Sequence, residues 1–145
     1  MSYYIGIIGS SFAPMFNKKK VCKAIDAGIK LALRKKEELE DEDFDDNIYI
    51  VSSLINEGIT QLIYKEAKKR NLKTIGIGSE KSKHYELIPE TTDSFFVKSD
   101  FDEKENEFFI RNLDILIIIG QGSRNREREA KKQNISVYRF PDILD

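Results

Sequence analysis

Short runs of β-branched and aromatic residues alternate along this chain with longer segments whose apolar residues recur every three or four positions, and that alternation limits the folds open to it. Tyr3 to Ile8 (YYIGII), Ile48 to Val51, Lys73 to Ile77 (KTIGI), Ser94 to Val97 (SFFV), Ile115 to Ile119 and Ser136 to Phe140 read as strands. From Lys18 to Lys36, the residues Val21, Ile25, Gly28, Ile29, Ala32 and Leu33 fall on one face of an amphipathic helix, and Ile59, Leu62, Ile63, Glu66 and Ala67 repeat the spacing after Ser52-Ser53. DFDEKENEFFIRN and the segment Arg124 to Gln133 read as two further helices. Parallel strands need crossover connections, which are usually helical. The pattern therefore predicts an α/β, three-layer, Rossmann-like fold: a mainly parallel sheet covered by helices on both faces. In such a sheet a ligand lies beyond the carboxyl ends of the strands.

The remaining bulk properties narrow the function classes. With 145 residues, 40% of them hydrophobic, one domain spanning 1–145 is expected. The 24 basic and 25 acidic residues nearly cancel, so no overall basic field draws the chain to nucleic acid. The longest apolar run, Ile115 to Ile119, is far short of the roughly 20 residues that span a bilayer. Cys22 is the single cysteine and no leader-like segment opens the chain, so a cytoplasmic location is expected, without membrane association. The acidic run Glu37 to Asp46 reads as a solvated loop rather than a metal cage, and neither a metal nor a resident cofactor is expected.

Two strand exits on the expected ligand side are glycine-rich and carry hydroxyls: Gly9-Ser10-Ser11 after the first strand and Gly120-Gln121-Gly122-Ser123 after the fifth. Glycine permits a sharp turn and close approach of an anion to backbone amides, and the N-terminus of the following helix presents partial positive charge. A glycine turn is also the plainest way to leave a strand. Ser52 and Ser53 leave the second strand and Gly58 opens the next helix, bringing a third exit to the same edge. Arg124 and Arg126 stand where guanidinium groups could grip a phosphate. The alternative is a solvated helix surface on which Arg126 or Arg128 pairs with Glu127 or Glu129.

The order IGIIGSS, then VSSLINEGITQLIYKEAKKRNLKTIGI, then FFIRNLDILIIIGQGS followed by a helix and SVYRF, resembles the SLOG superfamily, specifically the LOG-like Rossmannoid proteins. That group includes the lysine decarboxylase-like proteins, which are cytokinin riboside monophosphate phosphoribohydrolases, as well as DprA-like and molybdenum-cofactor-carrier-like domains. Where the LOG-like pattern has GG-x-x-G-x-M, this chain keeps Gly58 and has Ser52-Ser53 in place of the glycine pair. Where that pattern has P-G-G-x-G-T-x-x-E, this chain has Gly120-Gln121-Gly122-Ser123-Arg124-Asn125-Arg126, which puts Arg126 in the glutamate's place and Glu127 one residue later. One residue rotates a helical side chain by about 100°. The resemblance therefore implies ligand binding more strongly than catalysis, and a homodimer or higher homo-oligomer.

Three functional readings follow. The first is a binder of a nucleotide or nucleotide-derived phosphate ligand, acting as sensor, carrier or sequestering protein through Gly9, Ser10, Ser11, Ser52, Ser53, Gly58, Gly120, Gly122, Ser123, Arg124 and Arg126. The second is an N-glycosidic hydrolase of the phosphoribohydrolase type, with Glu127 or Glu57 as the carboxylate that such chemistry needs. The third is an interaction module with a degenerate pocket. His84, Cys22 and the pairs Phe95-Phe96 and Phe108-Phe109 read as surface, structural thiol and core respectively.

Overall fold

The computed structural model describes residues 2–9, 15–39, 47–54, 58–79, 93–97 and 102–145. Within them the strands β1 (Tyr3–Gly9), β2 (Ile48–Ser53), β3 (Lys73–Ser79), β4 (Asp93–Val97), β5 (Ile115–Ile119) and β6 (Ser136–Phe140) form one six-stranded sheet in the order β4-β3-β2-β1-β5-β6. Every neighbouring pair is parallel. The helices are α1 (Lys18–Glu38), α2 (Gly58–Lys69), α3 (Asp102–Arg111) and α4 (Arg124–Lys132). The predicted Rossmann-like α/β architecture is the observed one.

A strand covered on both faces has no use for polar alternation, and β5 shows it: all five of its residues, Ile-Leu-Ile-Ile-Ile, are buried. Its odd positions, Ile115, Ile117 and Ile119, join Ile5 and Ile7 of β1 in a core completed by Val21, Ile25 and Ile29 of α1 and Ile59, Ile63 and Ala67 of α2. Its even positions, Leu116 and Ile118, join Ile8, Val51, Phe109, Ile110 and Ala130 in a second core. The helices α1 and α2 therefore cover one face and α3 and α4 the other. Each fully buried Ile or Phe contributes about 1.5–3 kcal/mol to this arrangement. Ile59, Ile63 and Ala67 are fully buried, so the apolar stripe of α2 is core and not a free interface.

Local signals set the boundaries. The side chain of Asn17 accepts a hydrogen bond from the Lys20 amide at 3.1 Å and caps α1. The helix then runs through Glu38, taking in two residues of the expected acidic loop, because Glu38 pairs with Lys35 one turn back at 3.3 Å. Asp26 of α1 and Glu66 of α2 share Arg70, which ties the two helices along their solvent side. Among the described residues no helix is long and apolar enough to cross a membrane.

The sheet order has one consequence for ligand binding. The helix after β1 packs on one face of the sheet and the helix after its neighbour β5 on the other, the change of side at which sheets of this kind hold a ligand crevice beyond the strands' carboxyl ends. Gly9 stands beside Ile119 in the register, which places the two glycine-bearing exits next to each other. Helix α1 lies so close to β5 that a Cβ on Gly28 would come within 2.6 Å of Ile117 Cγ2. Gly28→Val is expected to lower the unfolding free energy in urea by about 1–3 kcal/mol through overpacking. An unchanged denaturation midpoint would show that the helix does not approach the strand this closely.

Candidate functional site

The turn after β5 is built by one glycine that needs its conformation and one serine that accepts an unusual one. Gly120 has φ +92°, outside the range comfortable for an L side chain, and its amide donates to the Phe140 carbonyl at 2.8 Å. A Cβ there would also lie 2.8 Å from Cδ1 of the buried Ile143. Ser123 follows in the left-handed region at φ 63° and starts α4 without a hydrogen bond from its side chain to the helix. The first turn of α4 thus begins without the usual side-chain cap, and the partial positive charge of its leading amides is not compensated by a capping oxygen of Ser123.

Arg139 of β6 holds this turn in place. One nitrogen of its guanidinium, Nη1, donates to the carbonyls of Gly120 at 2.7 Å and Gly122 at 2.9 Å, while Nη2 meets the Glu127 carboxylate at 3.0 Å. The arginine and glutamate side chains are 15% and 16% exposed, so this contact is largely shielded from solvent. Glu127 also takes an ion pair from Arg124 at 3.3 Å. The hydrogen bond from Arg139 is the main reason its carboxyl titrates below the usual glutamate range. Its carboxylate is therefore an ionised partner of two arginines within the turn.

The three arginines of α4 divide their work differently from the expected helix-surface pairings. Arg124 is exposed and reaches Glu127. Arg128 donates to Asn125 Oδ1 at 2.9 Å. Arg126 turns inward: its guanidinium lies over the ring of Phe109, 4.0 Å from the centroid, and meets Glu105 of α3 at 3.5 Å. Burial pushes its pKa down, opposed by Glu105 and by Tyr64, but a guanidinium keeps its charge in a protein. On the other side, Asn106 Nδ2 donates to the Asn125 carbonyl at 3.2 Å, bracing α3 against the start of α4. A cleft of about 900 Å³ opens here, bordered by Glu105, Asn106, Ser123, Arg124 and Arg126.

The other expected site residues are distributed unevenly. Gly9 ends β1 beside this turn, and a Cβ on it would meet Ile59 Cγ2 at 2.6 Å, so close packing of α2 already accounts for a glycine there. Ser52 is fully buried, its hydroxyl without a hydrogen-bond partner, on the same strand face as Ile50 beneath α2 and away from the crevice surface. Ser53 is half-buried, and its carbonyl accepts from the Tyr64 hydroxyl at 2.7 Å. Gly58 opens α2 with φ +50°. Ser10, Ser11, Glu57 and His84 lie outside the described residues. Cys22 is half-buried, and burial with the nearby Glu66 carboxylate pushes its thiol pKa up, as a structural thiol's would be. Sequence reading had passed over Arg139, Glu105 and Asn106. The one signal for Arg139 was a cation inside an otherwise uncharged strand, SVYRF.

Two outcomes test this geometry. Gly120→Ala is expected to cost about 1–3 kcal/mol of stability because the new side chain meets a forbidden φ. Gly122→Ala, whose backbone is not in the left-handed region, is expected to stay within about 0.5 kcal/mol; equal losses at both positions would contradict the turn described here. The second outcome concerns pH. Because Glu127 has a lowered pKa in the folded state, its contribution is complete above the unfolded glutamate pKa and disappears as pH falls through the folded value. The stability difference between the parent chain and Glu127→Gln should therefore be largest near neutrality and vanish in acid, as read from urea unfolding at a series of pH values. A difference that grows in acid would reverse the assignment.

No protein-family model and no curated protein matches the chain. Solved structures do match over nearly all of it. The molybdenum cofactor carrier protein from Chlamydomonas reinhardtii superposes with a TM-score of 0.66 at 15% identity, covering 96% of this chain and 76% of that one. The molybdenum cofactor binding protein from the phototrophic bacterium Rippkaea orientalis superposes with a TM-score of 0.66 at 19% identity, covering 98% and 78%. A second structure of the Chlamydomonas carrier gives 0.65 at 16% identity, covering 97% and 76%. At such identities the likeness is one of fold: a Rossmannoid domain of the kind these carriers have, with nothing that singles out the LOG-like branch.

Proposed function

We propose that this chain binds and carries a small phosphate-bearing ligand, a nucleotide or a nucleotide-derived compound, at the carboxyl ends of β1 and β5. The observation that carries the reading is the start of α4. Its amides follow a Gly-x-Gly-Ser turn, have no side-chain cap, and stand where β1 and β5 send their connections to opposite faces. The turn amides, the Ser123 hydroxyl and the Arg126 guanidinium would hold the phosphate, with Gly9 bounding the other side. The match in fold to proteins described as molybdenum cofactor carriers supports a carrying role. Binding is favoured over hydrolysis by Glu127, whose carboxylate is occupied by Arg139 and Arg124, and by Arg126, a cation where the LOG-like pattern has its glutamate.

The test is native mass spectrometry of freshly purified protein, followed by a thermal-shift screen with AMP, ADP-ribose, cyclic nucleotides and the molybdenum cofactor. A retained or stabilising compound is expected, and Gly122→Asp should abolish its effect while leaving the fold intact, since the new carboxylate occupies the cradle without straining the backbone. Free base and ribose phosphate released from a nucleotide would replace the carrier with a hydrolase. If no compound is retained and none shifts the melting temperature, the reading fails and an interaction module takes its place.

A further inference from the structure

Arg139 does not itself border the cleft between α3 and α4, yet it is the group that fixes the shape of the turn. Its contacts with the Gly120 and Gly122 carbonyls, at 2.7 and 2.9 Å, pull two acceptors of the same turn toward β6. A peptide unit whose carbonyl is held on one side has its amide edge turned to the other. Nη2 spends the remaining direction of the planar fork on Glu127 at 3.0 Å. That contact matters electrostatically, because Glu127 is the acidic residue of the first turn of α4. A carboxylate so near the amide end of a helix competes with any external anion for the same positive potential. Arg139 offsets that charge from the shielded side, with Arg124 on the other carboxylate oxygen at 3.3 Å, and leaves the amide end available.

We propose that Arg139 is the positioning residue of the phosphate cradle: its guanidinium presets the Gly120–Ser123 backbone for an anion and neutralises Glu127, which would otherwise repel one. This assignment rests on the reading of the turn as a phosphate site. It adds a residue from a different strand that touches no ligand and acts through the turn. It also gives Glu127 a defined and unfavourable influence on anion binding, held down by Arg139 from the shielded side and by the exposed Arg124 from the other.

The experiment uses the full chain labelled with ¹⁵N and titrated with inorganic phosphate at constant ionic strength, following the amide resonances of Gly122, Ser123, Arg124 and Asn125. In the parent protein these amides should shift saturably. Arg139→Met should weaken phosphate binding by about tenfold or more, and adding Glu127→Gln to that variant should restore a substantial part of the loss, which a purely structural role for Arg139 would not produce. Phosphate affinity within twofold of the parent in Arg139→Met, or no recovery in the double variant, overturns the proposal. If Arg139→Met does not fold, Arg139→Lys takes its place. It keeps the charge but loses the fork, so a loss of about threefold to tenfold supports the assignment and an unchanged affinity sinks it. Absence of any shift in the parent protein is a separate outcome, which removes the phosphate reading and this assignment together. Binding by the parent with indifferent variants removes the assignment alone.

Discussion

The pairing of β1 with β5 is the constraint on which the rest of the structure depends. These are adjacent inner strands of the sheet, packed on both faces, and the helices that follow them lie on opposite faces. In sheets wound this way the change of side between neighbouring strands is where a ligand crevice forms, a property of the strand order before any particular side chain is chosen. The same pairing sets how close the two exits are, because Gly9 is level with Ile119. The sequence could tolerate many surface changes without affecting this. A change at Gly28 or Ile117, which bring α1 onto β5, would be transmitted directly to it.

Around the crevice the charges are arranged so that positive potential survives. Arg124, Arg126 and Arg139 face Glu127 and Glu105, leaving one cation in excess, and the helix amides add their own partial charge. Phe109 holds the Arg126 guanidinium over its ring without neutralising it, since a ring face attracts a cation but carries no formal charge. The two braces on the turn, Arg139 from β6 and Asn106 from α3, come from elements far apart in sequence. Their convergence makes the turn a property of the whole α3/α4 side of the sheet.

How much of this could be read in the sequence depended on the range of the interaction concerned. Strands and helices were legible because burial on two faces or on one stripe leaves a period in the chain, as in Ile115–Ile119 and in Val21, Ile25 and Ile29. The Gly120–Ser123 turn was legible for the same local reason: glycine marks a φ that other residues avoid. The partners of its charged residues were not. Arg126 finds Glu105 twenty-one residues away, and Glu127 finds Arg139 twelve residues on, and nothing in the spacing of either pair reports that α3, α4 and β6 come together. Ser52 shows the limit from the other direction: its place at a strand exit suggested a ligand, while the pleat turns it under α2. The helical continuation through Glu38 was hidden by the acidic run, whose charge reads as solvation even where a lysine one turn back supports the helix.

The segment following β6 gives the site a property that no single contact has. The Ile143 carbonyl accepts from the Asn17 amide at 2.6 Å, just ahead of α1, while the Ile143 side chain is buried against Gly120. One residue therefore ties the approach to α1 to the turn that opens α4. Order imposed on the Gly120 turn is thereby passed through one packed residue to the cap of α1. A small molecule that fixes the β5 turn would accordingly be felt at the start of α1, on the opposite face of the sheet, without touching it.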